Sequence, residues 1–138
     1  MVTCPEVQIR AQEEIDLVIG NSRLPNFSDR PNLPYTDAIY RELLRYSPPA
    51  ALGIPHALKE DDVYEGYFLP KGISFMMGQR AIFSRLLIGA VVLPNLWAMA
   101  HDENEYPDPF SFKPERFLNA DGTLNSDNKI LAYGFGRR

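Results

Sequence analysis

Cysteine is almost missing from these 138 residues: Cys4 stands alone, and with only His56 and His101 as imidazoles it completes neither an internal disulfide nor a zinc set. A disulfide scaffold and a structural zinc site are excluded. Excess charge of one sign is equally scarce, because 14 Lys and Arg face 18 Asp and Glu for a net charge of −4. Its longest run of like charge is Glu60, Asp61 and Asp62. Phosphate recognition draws on clustered Lys and Arg, so nucleic acid is not an expected partner. Long apolar runs are lacking too. The most apolar stretch, Leu86 to Ala100, is about 15 residues long and is broken by Pro94 and Asn95, short of the roughly 20 that span a bilayer. No apolar run follows Met1, Cys4, Pro5 and Glu6 either, so no transmembrane segment, signal peptide or N-terminal anchor is expected in this chain.

What is present is the composition of a packed protein, 45% apolar and 23% charged, at the length of about one domain. The 12 prolines are spread along the chain and predict short elements joined by stiff turns. Pro5 to Ile19 reads as a helix, with proline at its first position, Glu6 at its positive end, and Val7, Ala11, Ile15 and Val18 at helical spacing. Gly20-Asn21 stops it. Ser22 to Pro34, with three prolines, reads as an ordered loop without helix or strand. A second helix is predicted from Tyr35 to about Tyr46, with Ile39, Leu43 and Tyr46 as its apolar stripe, ended by Ser47-Pro48-Pro49. Val63-Tyr64 and Tyr67-Phe68-Leu69 around Glu65-Gly66 predict a hairpin, and Asp121-Gly122 a surface turn.

Three constellations carry chemistry. Glu42-Leu43-Leu44-Arg45 sets a carboxylate and a guanidinium three positions apart on one helix face. Nine glutamates and ten arginines would give about 0.65 such pairs by chance, so alone it reads equally as a solvated surface pair. Pro114-Glu115-Arg116-Phe117 places a second guanidinium in a loop-rich region, where it could join Glu42 in a three-membered ion cluster. Gly134-Phe135-Gly136-Arg137-Arg138 combines close backbone approach with anion-binding side chains. A dinucleotide loop would need a third glycine and a following helix in a βαβ unit, which this segment lacks.

Taken in order, these motifs resemble the C-terminal third of a cytochrome P-450, a haem-thiolate monooxygenase. Asn95 to Asp102 and Tyr106 to Phe110 also look like that family, especially its fungal members. The resemblance implies a mainly α fold with small antiparallel β-sheets (α+β), a partial cytochrome P-450 fold over residues 1–138. It implies a structural triad of Glu42, Arg45 and Arg116 beneath the haem, and a substrate-side segment of Ala50, Ala51, Leu52, Gly53 and Ile54. His56 and Arg138 would meet the haem propionates, with a hydrogen-bonded loop histidine as the other reading of His56. Tyr133, Gly134, Phe135 and Gly136 would line the haem loop. Partners implied for a full-length parent are a small organic substrate and an NADPH-dependent reductase. Eukaryotic members usually sit on the endoplasmic reticulum, which leaves this chain's localisation unassigned.

The sequence also departs from the family. Relatives continue the glycine-arginine loop to an iron-ligating cysteine two residues beyond the place of Arg138, and they carry an upstream oxygen-activating helix. Both are expected outside these 138 residues, with no metal ligand and no catalytic group within them; Cys4, at a helix start, is expected to be inert. Residues 73–90 interrupt a tight turn of the family pattern and read as a retained intron in frame, with an added helix as the alternative. They are expected not to dock into the sheet, leaving the strand at Val91 to pair with the one ending at Leu69. The chain accordingly reads as part of a haem-dependent monooxygenase. The alternative is a non-catalytic chain that binds no haem, the expectation for this polypeptide by itself.

Overall fold

The computed structural model describes residues 4–54, 58–71, 76–77 and 93–127. The first helix, α1, runs Pro5–Val18 and starts, as its sequence implies, on a proline with Glu6 in the first turn. Cys4 precedes it without a side-chain cap and rests, partly buried, on the core formed by Val7, Ala11, Tyr35 and Ile39. Gly20, at φ +70°, closes the helix with a bond from its N–H to the Asp16 carbonyl at 3.0 Å.

The loop expected from Ser22 to Pro34 contains a 3₁₀ helix, Phe27–Asn32, with Pro31 inside it. A short 3₁₀ helix of six residues tolerates what a long helix would not, and a capping box secures it. The Asn26 side chain accepts from the Ser28 N–H at 2.8 Å, while Asp29 Oδ2 accepts from the Asn26 N–H at 2.9 Å. Arg23 grips both Asp29 oxygens at 2.7 Å. That side-chain bond, helped by the Asn26 amide, holds the Asp29 carboxyl down at about 2.

The second helix, α2, spans Pro34–Tyr46, and its N-cap residue, Leu33, has no side chain that can accept a bond. Glu14 of α1 supplies the missing acceptor from 21 residues away. Its two oxygens take the N–H groups of Tyr35 and Thr36 at 2.8 Å each, and the Thr36 hydroxyl at 2.7 Å. A carboxylate at a helix N-terminus also meets the positive end of the helix dipole. The buried residues of α2 are Tyr35, Asp37, Ala38, Ile39, Glu42 and Arg45. The predicted stripe is therefore only partly correct: Ile39 is inside, but Leu43 and Tyr46 are 52% and 40% exposed. Charged residues take the inward position because partners wait for them there.

The hairpin is as expected, with β1 (Asp62–Tyr64) antiparallel to β2 (Tyr67–Leu69) in register Val63 to Phe68. Glu65 and Gly66 both take positive φ, which a two-residue turn between right-twisted strands demands. The second small sheet departs from expectation. Met76–Met77 (β3) pairs in parallel with Leu93–Pro94 (β4), Met76 opposite Leu93. Segment 73–90 thus contributes a strand, and the described residues of the strand after it pair with that segment and not with Leu69, whose partner is Asp62.

Helix α3, Leu96–Ala100, is capped by the Asn95 side chain, and a second 3₁₀ helix, Pro114–Phe117, follows the loop at 101–113. Tyr106, Phe117 and Ala38 form a second buried cluster, flanked by Leu118 and Leu124. Leu118 and Leu124 bridge across the turn at Asp121-Gly122. No helix among the described residues is long and apolar enough to cross a membrane.

Candidate functional site

Helix α2 and the second 3₁₀ helix meet around one carboxylate. Glu42 is completely buried, and both its oxygens are gripped from its own helix by Arg45, Nη2 to Oε1 at 2.8 Å and Nε to Oε2 at 2.7 Å. This planar fork is the strongest geometry available to an arginine and a carboxylate. Oε1 also accepts from the Lys113 N–H at 2.9 Å and from Arg116 Nε at 3.3 Å. The structure therefore brings together Glu42, Arg45 and Arg116, the three residues the motifs single out.

The remaining donors of both guanidiniums go to the backbone. Arg45 Nη1 donates to the Ala100 carbonyl at 2.9 Å, tying the last residue of α3 to α2. Arg116 donates to the carbonyls of Pro107 (3.1 Å), Asp108 (3.2 Å) and Ser111 (3.2 Å). Those carbonyls belong to a loop with no regular ladder, where Asp108 sits at φ +53°. A largely covered guanidinium thus does for the loop what a strand partner would do elsewhere. Tyr106 flanks Arg45, whose Cζ lies 5.5 Å from the ring centroid. Sequence reasoning missed the Lys113 amide and these carbonyls, since backbone partners leave no mark in residue identity.

The segment Ala50–Ile54 is fastened to α3 by the Trp97 N–H, which donates to the Ala51 carbonyl at 2.9 Å. A tight turn closes it, Gly53 N–H to Ala50 carbonyl at 2.8 Å. Leu52 and Ile54 stay exposed on that turn, giving it an apolar surface. Nearby, His101 stacks on Trp97 with ring centroids 4.5 Å apart and contacts Phe110. His56, Tyr133, Gly134, Phe135, Gly136 and Arg138 lie outside the described residues. Among the described residues no three His, Cys, Asp or Glu side chains converge as metal ligands.

Charge pairing extends along the same surface. Arg10 donates to Glu115 Oε1 at 2.9 Å and covers the Tyr35 ring at 4.1 Å. Burial, reinforced by the Glu115 charge, pushes the Tyr35 hydroxyl above its ordinary range. Lys113 and Ser111 hold the Asp108 carboxyl below the usual range, Lys113 with the larger effect.

Comparison with known proteins connects this arrangement to a family. The cytochrome P-450 family model matches residues 1–83 and 86–138, the break falling within 73–90. The cytochrome P-450 monooxygenase claR of Ampulloclitocybe clavipes is 49% identical over the whole chain, and cytochrome P-450 monooxygenase 105 of Postia placenta is also 49% identical over the whole chain. Cytochrome P-450 monooxygenase 98 of Postia placenta is 44% identical over 97% of it. The chain spans 23% of the length of each of these relatives. The family is haem-dependent, and the α-rich architecture with its small sheets is part of that family's fold. A buried carboxylate held by two arginines, in a chain matched by this family over nearly all its residues, leaves one assignment: the chain belongs to the cytochrome P-450 family.

Proposed function

We propose that this chain is the portion of a haem-dependent monooxygenase that braces the cofactor's surroundings, with Glu42, Arg45 and Arg116 as its structural triad. When bound, the haem supplies oxygen activation for insertion of one oxygen atom into an organic substrate. The part played by these residues is mechanical. The observation that carries the reading is the Glu42 carboxylate, wholly buried and saturated by two guanidiniums and an amide. Such clusters contribute little net stability but fix geometry, since each partner left alone would be a buried unpaired charge.

The described residues fit a supporting role toward haem, a reading that their donor chemistry favours. Arg45 and Arg116 are committed to Glu42 and to four carbonyls, so neither is spare for a propionate. His56 and Arg138 remain the proposed propionate partners, and Tyr133 to Gly136 the proposed loop against the haem. Cys4 is packed on the α1–α2 core, which supports a structural role for that thiol. Ala50 to Ile54, held by Trp97 and carrying exposed Leu52 and Ile54, is suited to an apolar substrate. A reductase using NADPH would deliver electrons in the full-length protein. The relatives' names as monooxygenases favour this reading over a chain with no role toward haem. Segment 73–90 is proposed as an insertion, with the family match interrupted inside it at residues 84–85 alone.

The test uses a full-length protein carrying this segment. Glu42→Ala should abolish haem incorporation, with a stability loss of about 3–5 kcal/mol from the two stranded cations. Haem content and the red-shifted carbon monoxide band of thiolate-ligated iron report the outcome. Normal haem content with a melting point within a few degrees of wild type would refute the triad's role.

A further inference from the structure

Helix α2 carries a second, largely covered arginine that the triad does not use. Arg41 is 14% exposed in its side chain, and its Nη1 donates to the carbonyls of Asp127 at 2.7 Å and Asn125 at 3.3 Å. Its distance to the nearest carboxylate, Asp37, is longer, 3.6 Å from Nη2 to Oδ2. Asp37 already has a cation: Arg30 donates to its Oδ1 from Nε at 3.0 Å and from Nη2 at 2.7 Å. Neutralising Asp37 is therefore not what orients Arg41. Its Nε is buried and finds no acceptor among the described residues, so the guanidinium forgoes one bond to hold the two carbonyls.

The other side of the same segment is held by the second 3₁₀ helix. The Asn125 N–H donates to the Phe117 carbonyl at 2.9 Å, and Asn125 Nδ2 donates to the Arg116 carbonyl at 2.8 Å. Residues 125–127 are thus pinned between α2 and the residues next to the Glu42 cluster. We infer that Arg41 is a positioning residue: by clamping Asn125 and Asp127 to α2 it sets the point from which the chain continues toward Tyr133 and Arg138. The inference rests on the proposed haem role of those residues. A lysine would bring one ammonium in place of a planar fork and could not hold the same orientation.

The experiment compares wild type, Arg41→Lys, Arg41→Ala and Arg30→Ala in a full-length protein carrying this segment. Hydrogen exchange at the Asn125 amide needs no haem. Expected is exchange at least several-fold faster in both Arg41 variants than in Arg30→Ala. In reduced holoprotein with carbon monoxide, at matched haem loading, the Arg41 variants should lose the thiolate band several-fold in favour of non-thiolate ligation. Arg30→Ala should keep it, although it removes a partner of Asp37. If Arg41→Ala does not fold, Arg41→Lys carries both measurements. Wild-type exchange at Asn125 in Arg41→Lys, or an unchanged thiolate band, would overturn the inference, as would equal band loss in Arg30→Ala. A wild-type protein that never shows the band would refute the haem reading instead, and the exchange data would still decide the clamp.

Discussion

Substituting Gly53 by alanine tests how rigidly the Ala50–Ile54 turn is set against the second sheet. Gly53 has φ +64°, a conformation that costs an L-residue about 1–2 kcal/mol. A Cβ built there also runs into the ring of Pro94 and comes within 3.0 Å of the Pro94 carbonyl oxygen. Pro94 is buried, its ring is stiff, and its backbone pairs with Met77, so it cannot swing aside as a long side chain would. Forced overpacking of this kind costs about 1–3 kcal/mol. The two effects together predict a loss of about 2–5 kcal/mol. Gly20 and Gly122 separate them, because both have positive φ and nothing within 4 Å of an added Cβ. Alanine at either should cost only the conformational part, about 1–2 kcal/mol. Urea midpoints of the three variants in a full-length protein, at unchanged m, provide the comparison. A Gly53→Ala shift no larger than that of Gly20→Ala would refute the steric argument.

Arg45→Lys should lose one arm of the Glu42 fork together with the bond to Ala100, about 3 kcal/mol at the magnitude of charged hydrogen bonds, and an unshifted urea midpoint would count against it. The Asp29 carboxyl, held at about 2 in the folded chain against roughly 3.9 unfolded, stabilises the capping box above pH 4 or so, and that contribution drains away as pH falls toward 2. The protection factor of the Asn26 amide, its exchange measured against the intrinsic rate at each pH, should fall across that window in wild type and show no such titration in Asp29→Asn.

Local chemistry made much of the fold legible. Proline at the first helical position marked α1, the apolar stripe and the closing Ser47-Pro48-Pro49 bounded α2 to within a residue although Pro34 reads as the end of the loop before it, and Glu65-Gly66 and Asp121-Gly122 named their turns. The 3₁₀ helix was written too, in Asn26 three residues before Asp29, but the prolines around it argued louder for a loop. Other features had no local sign. The cap on α2 comes from Glu14 on another helix, and the parallel partner of Leu93 lies in the segment that departs from the family pattern. For the site, the motifs taken together and their resemblance to the family pointed to Glu42, Arg45 and Arg116, the first two a pair that spacing alone left open as a surface contact, while apolar periodicity directed attention to Leu43 and Tyr46 on the wrong face. Periodicity weighs polarity residue by residue, and a cluster whose charges neutralise one another inside the protein inverts it.

The Glu42–Arg116 contact joins positions 74 apart in sequence, and the chain between them includes residues 73–90. Without those residues the enclosed loop would be about 56 long, and since closure entropy grows only with the logarithm of length, their presence adds roughly 0.2 kcal/mol to the cost of bringing the ends together. The cluster behaves as a clasp indifferent to how much ribbon it gathers. Length variation within this loop can therefore accumulate without loosening the clasp, whereas one altered charge at either end would undo it.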